Sequence, residues 1–101
     1  MDVYDPMTDS WSSAASLPQP RGHVTANVLA RPGRIMVTSG VTNTSVPMAS
    51  IVEYDAATNA WSELTPLPGA RQSPVSGIIG SQLIVSGGSL NVQTWIASLS
   101  P

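Results

Sequence analysis

The chain has 101 residues, of which 42% are apolar and 10% charged, with a formal charge of −2; this is a globular composition, long enough for one domain at most. Four basic residues against six acids leave no basic stripe to neutralise phosphates or an anionic membrane surface, which argues against nucleic-acid binding. Without cysteine there is no disulfide framework, thiolate zinc site or cysteine nucleophile, and the cellular compartment stays open.

The acidic start, MDVYDPMTDS, lacks the apolar run of a signal or transit peptide. No segment reaches the roughly 18 consecutive apolar residues that a membrane helix needs. In YDPMT, Asp5 and Pro6 take the first two positions of a turn, where the carboxylate bonds the backbone ahead and proline presets φ. The stretch YDPMTDSWSSAASLPQPR, residues 4 to 21, then returns as YDAATNAWSELTPLPGAR, residues 54 to 71. Tyr4, Trp11, Leu17 and Arg21 each recur 50 positions later, so one unit is duplicated, with Asp55 repeating the turn of Asp5.

Downstream of Arg21 the apolar runs are short, rich in Val and Ile, and bounded by Gly, Pro, Ser or Asn. They predict strands at residues 25–29, 35–39, 50–54 and 60–64, repeated at 75–79, 83–86 and 95–99. HVTANVLA aligns with SPVSGIIG in the same register, and two extra residues of the first copy then fall in the turn of RPGRIMVTSG. Gly80-Ser81 is a two-residue connection with glycine first, which fits a type II′ hairpin. Four strands per unit form one antiparallel sheet. Such a sheet repeated at a period near 50 is what a β-propeller blade requires, since its faces bury only against neighbouring blades.

These residues resemble kelch repeats. Each copy joins a Tyr on the third strand (Tyr4, Tyr54), a Trp seven residues later (Trp11, Trp61), an Arg opening the next innermost strand (Arg21, Arg71) and a hairpin ending VTSG or VSGG. The resemblance implies an all-β fold of about two four-stranded antiparallel blades in an incomplete propeller, since rings take about four to eight. Residues 1–21 would be the third and fourth strands of one blade, 22–67 a full blade, and 68–101 the first three strands of the next. The resemblance also implies that the glycine pair lets a neighbouring aromatic pack close to the backbone, and that Tyr4, Tyr54, Trp11 and Trp61 serve inter-blade packing. Two departures stand out. Ser39-Gly40 replaces the pair seen at Gly87-Gly88, and TWIASLSP puts Leu99 where Tyr is expected and Ser100 where Asp is.

Chemistry is scarce. Asp5 and Asp55 belong to turns, Glu53 beside Tyr54 alternates outward, and no two unexplained acids share a face for glycoside hydrolysis. The single His23 brings no converging metal ligands, the many Ser and Thr residues lack a base partner, and neither SGVTN nor SGGSL leads into a phosphate-binding helix. No catalytic residue, metal or cofactor is assigned. Arg21 and Arg71 either grip a carboxylate at the channel rim, as the resemblance implies for acidic peptide partners, or brace adjacent blades through loop carbonyls. His23 stands beside Arg21, and the loop of residues 41–50 is a further contact element. It contains Asn43-Thr44-Ser45, an N-glycosylation acceptor pattern that a Ser/Thr-rich chain also produces by chance.

The reading is therefore a non-catalytic scaffold for a protein or peptide, completed by further blades in the same chain or in other copies. The alternative is a segment of a kelch-type enzyme or sugar-binding protein related to galactose oxidase or sialic-acid isomerases. Their catalytic residues find no counterpart here. A third reading is a unit whose role is self-assembly.

Overall fold

The computed structural model describes residues 1–100, so Pro101, the last residue of the third expected segment, lies outside them. Nine strands form: β1 (Asp2–Asp5), β2 (Ser10–Ser13), β3 (Val28–Arg31), β4 (Arg34–Thr38), β5 (Ile51–Asp55), β6 (Ala60–Leu64), β7 (Val75–Ile79), β8 (Gln82–Ser86) and β9 (Thr94–Ser98). They pair only with chain neighbours, giving antiparallel sheets of two (β1-β2), four (β3-β4-β5-β6) and three strands (β7-β8-β9). The fold is all-β, an incomplete propeller of kelch-type sheets, with no helix among the described residues.

The turns follow from their side chains. Asp5 accepts a hydrogen bond from the Met7 N–H and Asp55 from the Ala57 N–H, each at 2.9 Å, and Asp9 and Asn59 close the two turns at φ of 48° and 49°. Asp and Asn tolerate that left-handed conformation better than most residues. The repeated register Tyr4↔Trp11 and Tyr54↔Trp61 then sets each aromatic pair side by side.

Both inner hairpins have two-residue loops, Pro32-Gly33 between Arg31 and Arg34 and Gly80-Ser81 between Ile79 and Gln82. Gly80 has φ of +59°, as the expected turn requires. The two extra residues of the first copy therefore do not lie in its hairpin. They are Thr25 and Ala26, which form a turn before β3, closed by the Asn27 N–H donating to the Val24 carbonyl at 2.8 Å. This moves the first strand from the expected residues 25–29 to Val28–Arg31.

The main core lies between the four- and three-stranded sheets, where Met36, Ile51, Leu67, Leu83 and Val85 are buried together. Asn27, fully buried, ties these sheets together: its amide donates to the Pro74 carbonyl at 2.8 Å, and its Oδ1 accepts from the hydroxyls of Thr38 and Ser76. The Ser76 N–H donates to the Ala26 carbonyl beside it. Each partner satisfies a group that burial would otherwise penalise.

Candidate functional site

The strand mouths and loop bases are built alike in the two copies. Ser39 and Gly87 adopt φ of 55° and 70°, and Gly40 and Gly88 follow at 111° and 91°. A side chain on Gly40 would meet the Gly22 carbonyl at 2.9 Å, and one on Gly88 the Gln72 carbonyl at 2.8 Å. The second glycine is thus required by the main chain of the innermost strand's mouth, whose carbonyl stands where a side chain would be. Ser39 carries the left-handed conformation with a side chain whose buried hydroxyl has no partner.

Arg21 and Arg71 emerge from these mouths. The Arg21 Nη1 donates to the carbonyls of Ser39 at 2.9 Å and Ser50 at 3.3 Å, and Nη2 donates to the Ser50 hydroxyl at 2.9 Å. Arg71, 7% exposed, donates from Nη2 to Gln93 Oε1 at 2.6 Å and from Nη1 to its own Ala70 carbonyl, while its guanidinium lies 4.2 Å above the Trp95 ring. Ser50 and Gln93 each immediately precede a third strand, so both arginines hold the base of the loop that leads into it. Burial pulls the Arg21 pKa down, against the charge of Glu63. His23 is exposed with φ of 55°, matching Ser73 at 53°, and marks the same backbone kink at the mouth of each innermost strand.

The loop of residues 41–50 is anchored at both ends. Val41 and Met48 are buried, Gly22 and Val41 exchange backbone hydrogen bonds at 3.0 Å, and the Arg71 N–H donates to the Met48 carbonyl at 3.2 Å. Thr42 organises the tip, its hydroxyl accepting from the N–H groups of Thr44 and Val46. Residues 43–47 are exposed, with Val46 54% accessible. The corresponding loop, residues 87–93, exposes Leu90 and Val92 almost completely (105% and 92%). Sequence reading passed over these two. The signal lies in SGGSLNV, two branched apolar residues two and four positions after a glycine pair, outside any strand.

The expected outward Glu53 is instead 2% exposed and lies on the face toward the three-stranded sheet. Arg31 grips it with Nε and Nη2 at 2.8 and 2.9 Å, and Arg34 adds a contact at 3.2 Å before reaching Asp55 at 3.6 Å. Burial pushes the Glu53 carboxyl up, but the hydrogen bonds and charges of Arg31 and Arg34 outweigh it and hold it below the usual range. The expectation placed Leu99 and Ser100 at the Tyr and Asp positions. The register puts Ala97 opposite Leu83 as Tyr54 stands opposite Ile35, so Ala97 and Ser98 occupy those positions.

The aromatic landmarks differ between copies. Trp61 Nε1 donates to the Ala15 carbonyl at 2.9 Å, joining the two-stranded sheet to the four-stranded one, and Tyr54 is buried behind it. Trp11 is 71% and Tyr4 44% exposed, so that pair packs against itself alone.

Against known proteins, no family model matches the chain. Kelch-like protein 40 of Mus musculus is 33% identical over 101 residues, all of this chain and 16% of that protein. Kelch-like protein 21 of Rattus norvegicus is 38% identical over 69 residues, 67% of this chain and 11% of that protein. Kelch-like protein terF of Aspergillus terreus is 28% identical over 92 residues, 85% of this chain and 20% of that protein. The chain thus spans a fifth or less of the length of these relatives. With tandem Tyr–Trp hairpins, glycine-ended second strands and antiparallel sheets in chain order, the chain belongs to the kelch-repeat family.

Proposed function

We propose that the chain is a kelch-repeat scaffold that recognises a protein or peptide through the tips of the loops at residues 41–50 and 87–93. The carrying observation is that Val46, Leu90 and Val92 project apolar side chains from backbone fixed at both loop bases. Apolar groups held out on pre-ordered loops lose little freedom on binding, which favours affinity. Arg21 and Arg71 support this surface from behind, and His23 stands free at the strand mouth. An acidic peptide would have to displace the chain's own oxygens to reach either guanidinium.

We read the role as binding rather than catalysis, because the acids have local duties: Asp5 and Asp55 hold turns and Glu53 is paired with Arg31. In this reading residues 1–21, 22–67 and 68–101 belong to three successive blades. The open edges of the two- and three-stranded sheets favour a piece of a larger propeller or a unit that assembles into one.

The test is selection of binding peptides from a displayed library, followed by affinity measurement with Val46→Ser, Leu90→Ser and Val92→Ser together. We expect a loss of at least about tenfold, the scale of an interface anchor. Unchanged affinity for every selected peptide overturns the loop-tip assignment.

A further inference from the structure

The two copies differ where the framework makes no demand on the side chain. Gln19 occupies the place that Gly69 takes 50 positions later, and the loop of residues 41–50 is longer than its counterpart. These two unrepeated features face one another. A cleft of about 240 Å³ is lined by Gln19, Pro20, Thr42 and Asn43. Its walls are fixed from within: Gly22 exchanges backbone hydrogen bonds with Val41 at 3.0 Å, Arg21 holds Ser39 and Ser50, and the Thr42 hydroxyl accepts from the N–H groups of Thr44 and Val46.

The lining says what chemistry fits. Among the described residues no charged side chain borders the cleft, and the neighbouring Arg21 guanidinium is committed to oxygens of its own chain, so nothing there answers a phosphate or a carboxylate. No aromatic ring offers a sugar a stacking face. The volume lies below the roughly 300 to 1,000 Å³ of sites that enclose whole small molecules, so the cleft holds part of a longer ligand. What it presents is two exposed carboxamides, on Gln19 and Asn43, neither hydrogen-bonded among the described residues. A carboxamide carries donors and an acceptor on one planar group. It thereby matches the N–H and C=O that one residue of an extended chain turns to the same side.

We propose that this cleft grips the main chain of an extended, uncharged peptide segment of a partner protein. The carboxamides of Gln19 and Asn43 exchange hydrogen bonds with its N–H and C=O groups, the Pro20 ring forms an apolar wall, and a following apolar side chain of the peptide reaches Val46. Val46 stands beside the wall because its carbonyl accepts from the Thr42 N–H at 2.9 Å. The site rests on the peptide-recognition reading above and adds what apolar loop tips lack: a hold on the main chain, indifferent to sequence, beside a contact that selects a side chain.

Peptides selected from a displayed random library on the parent chain would be synthesised with an N-methyl group at each position in turn, removing one main-chain donor at a time. Methylation at one or two positions should lower affinity for the parent about three- to tenfold, the scale of a neutral hydrogen bond. That effect should vanish in Gln19→Gly or Asn43→Ala, each of which should itself bind the unmodified peptide about three- to tenfold more weakly. Both positions are exposed and glycine is the second copy's own residue, so the circular-dichroism spectrum should be retained. Full affinity in both variants, or a methylation effect that persists in them, overturns the cleft while the loop-tip reading stands. Binding on a glycan array that depends on Gln19 and Asn43, with peptide affinity indifferent to both, overturns the peptide as its ligand. A library that yields no binding peptide overturns this site and the reading beneath it together.

Discussion

The two Tyr–Trp hairpins are the same object in different surroundings. Their ring centroids lie 5.1 and 5.4 Å apart at tilts of 44° and 47°, and each tyrosine hydroxyl bonds the residue that closes the turn, Asp9 or Asn59. Yet Tyr54 is 7% exposed and Tyr4 is 44%. The local geometry is written in the repeated phrase; burial comes from the neighbour that docks on it. Aromatic area converts to stability only when a second surface removes it from water.

The sharpest way to break this comparison is to delete each tryptophan in turn. Trp61→Ala should cost about 3 kcal/mol in urea unfolding, and Trp11→Ala under about 0.5 kcal/mol at concentrations where the chain is monomeric. Equal losses would show that the hairpins contribute through their own rings, not through docking. Asn27→Ala extends the test to the junction between the four- and three-stranded sheets. It leaves the Pro74 carbonyl without its donor and the Thr38 and Ser76 hydroxyls with only each other, at a cost of about 2 to 3 kcal/mol.

At the same junction, Glu53→Gln should cost about 2 kcal/mol by weakening the bonds from Arg31 and Arg34. The Glu53 carboxyl titrates lower in the folded chain than in the unfolded one, so between those two values the unfolded chain holds more protons. Its stabilisation is complete above the ordinary glutamate range, about pH 4 to 5, and fades as pH falls through the folded value. Acid unfolding of Glu53→Gln should therefore be less steep below about pH 4 than that of the parent chain. A matching slope would remove Glu53 from the acid response.

The smallest effect compares the two strand ends. Ser39→Gly relieves a left-handed side-chain residue and a buried hydroxyl without a partner, and should raise stability by about 1 kcal/mol. Gly87→Ser, the reverse change in the second copy, should lower it by a similar amount.

The period of 50, the Asp-led turns and most strand positions were legible in the sequence, because each rests on spacing or on one residue's local geometry. What escaped depends on which side of a sheet, or which of two equal gaps, the chain uses. Residues 25 and 26 look like strand as readily as turn, and only the equal hairpin loops reveal the insertion there. Glu53 reads as outward because alternation fixes opposite faces for neighbours without saying that both faces are covered. Ala97 was missed for Leu99 because the shorter second loop shifts the register, which no residue type announces. For the candidate site, the loop at 41–50 and both arginines were visible as positions, but whether a guanidinium faces outward or grips its own chain is a matter of three-dimensional reach.

That grip has a consequence for how the surface can change. Arg21 and Arg71 take hold of main-chain carbonyls and of residues at the loop bases, and Val41, Met48 and the Ser89 hydroxyl on the Gln72 carbonyl tie the loops inward, whereas the side chains of Asn43, Val46, Leu90 and Val92 are exposed and make no hydrogen bond among the described residues. Positions 43, 46, 90 and 92 are therefore the ones that can vary with the least cost to the framework. A clamp that ignores what it displays leaves selection, natural or in the laboratory, to rewrite the exposed letters one at a time while the molecule beneath stays folded.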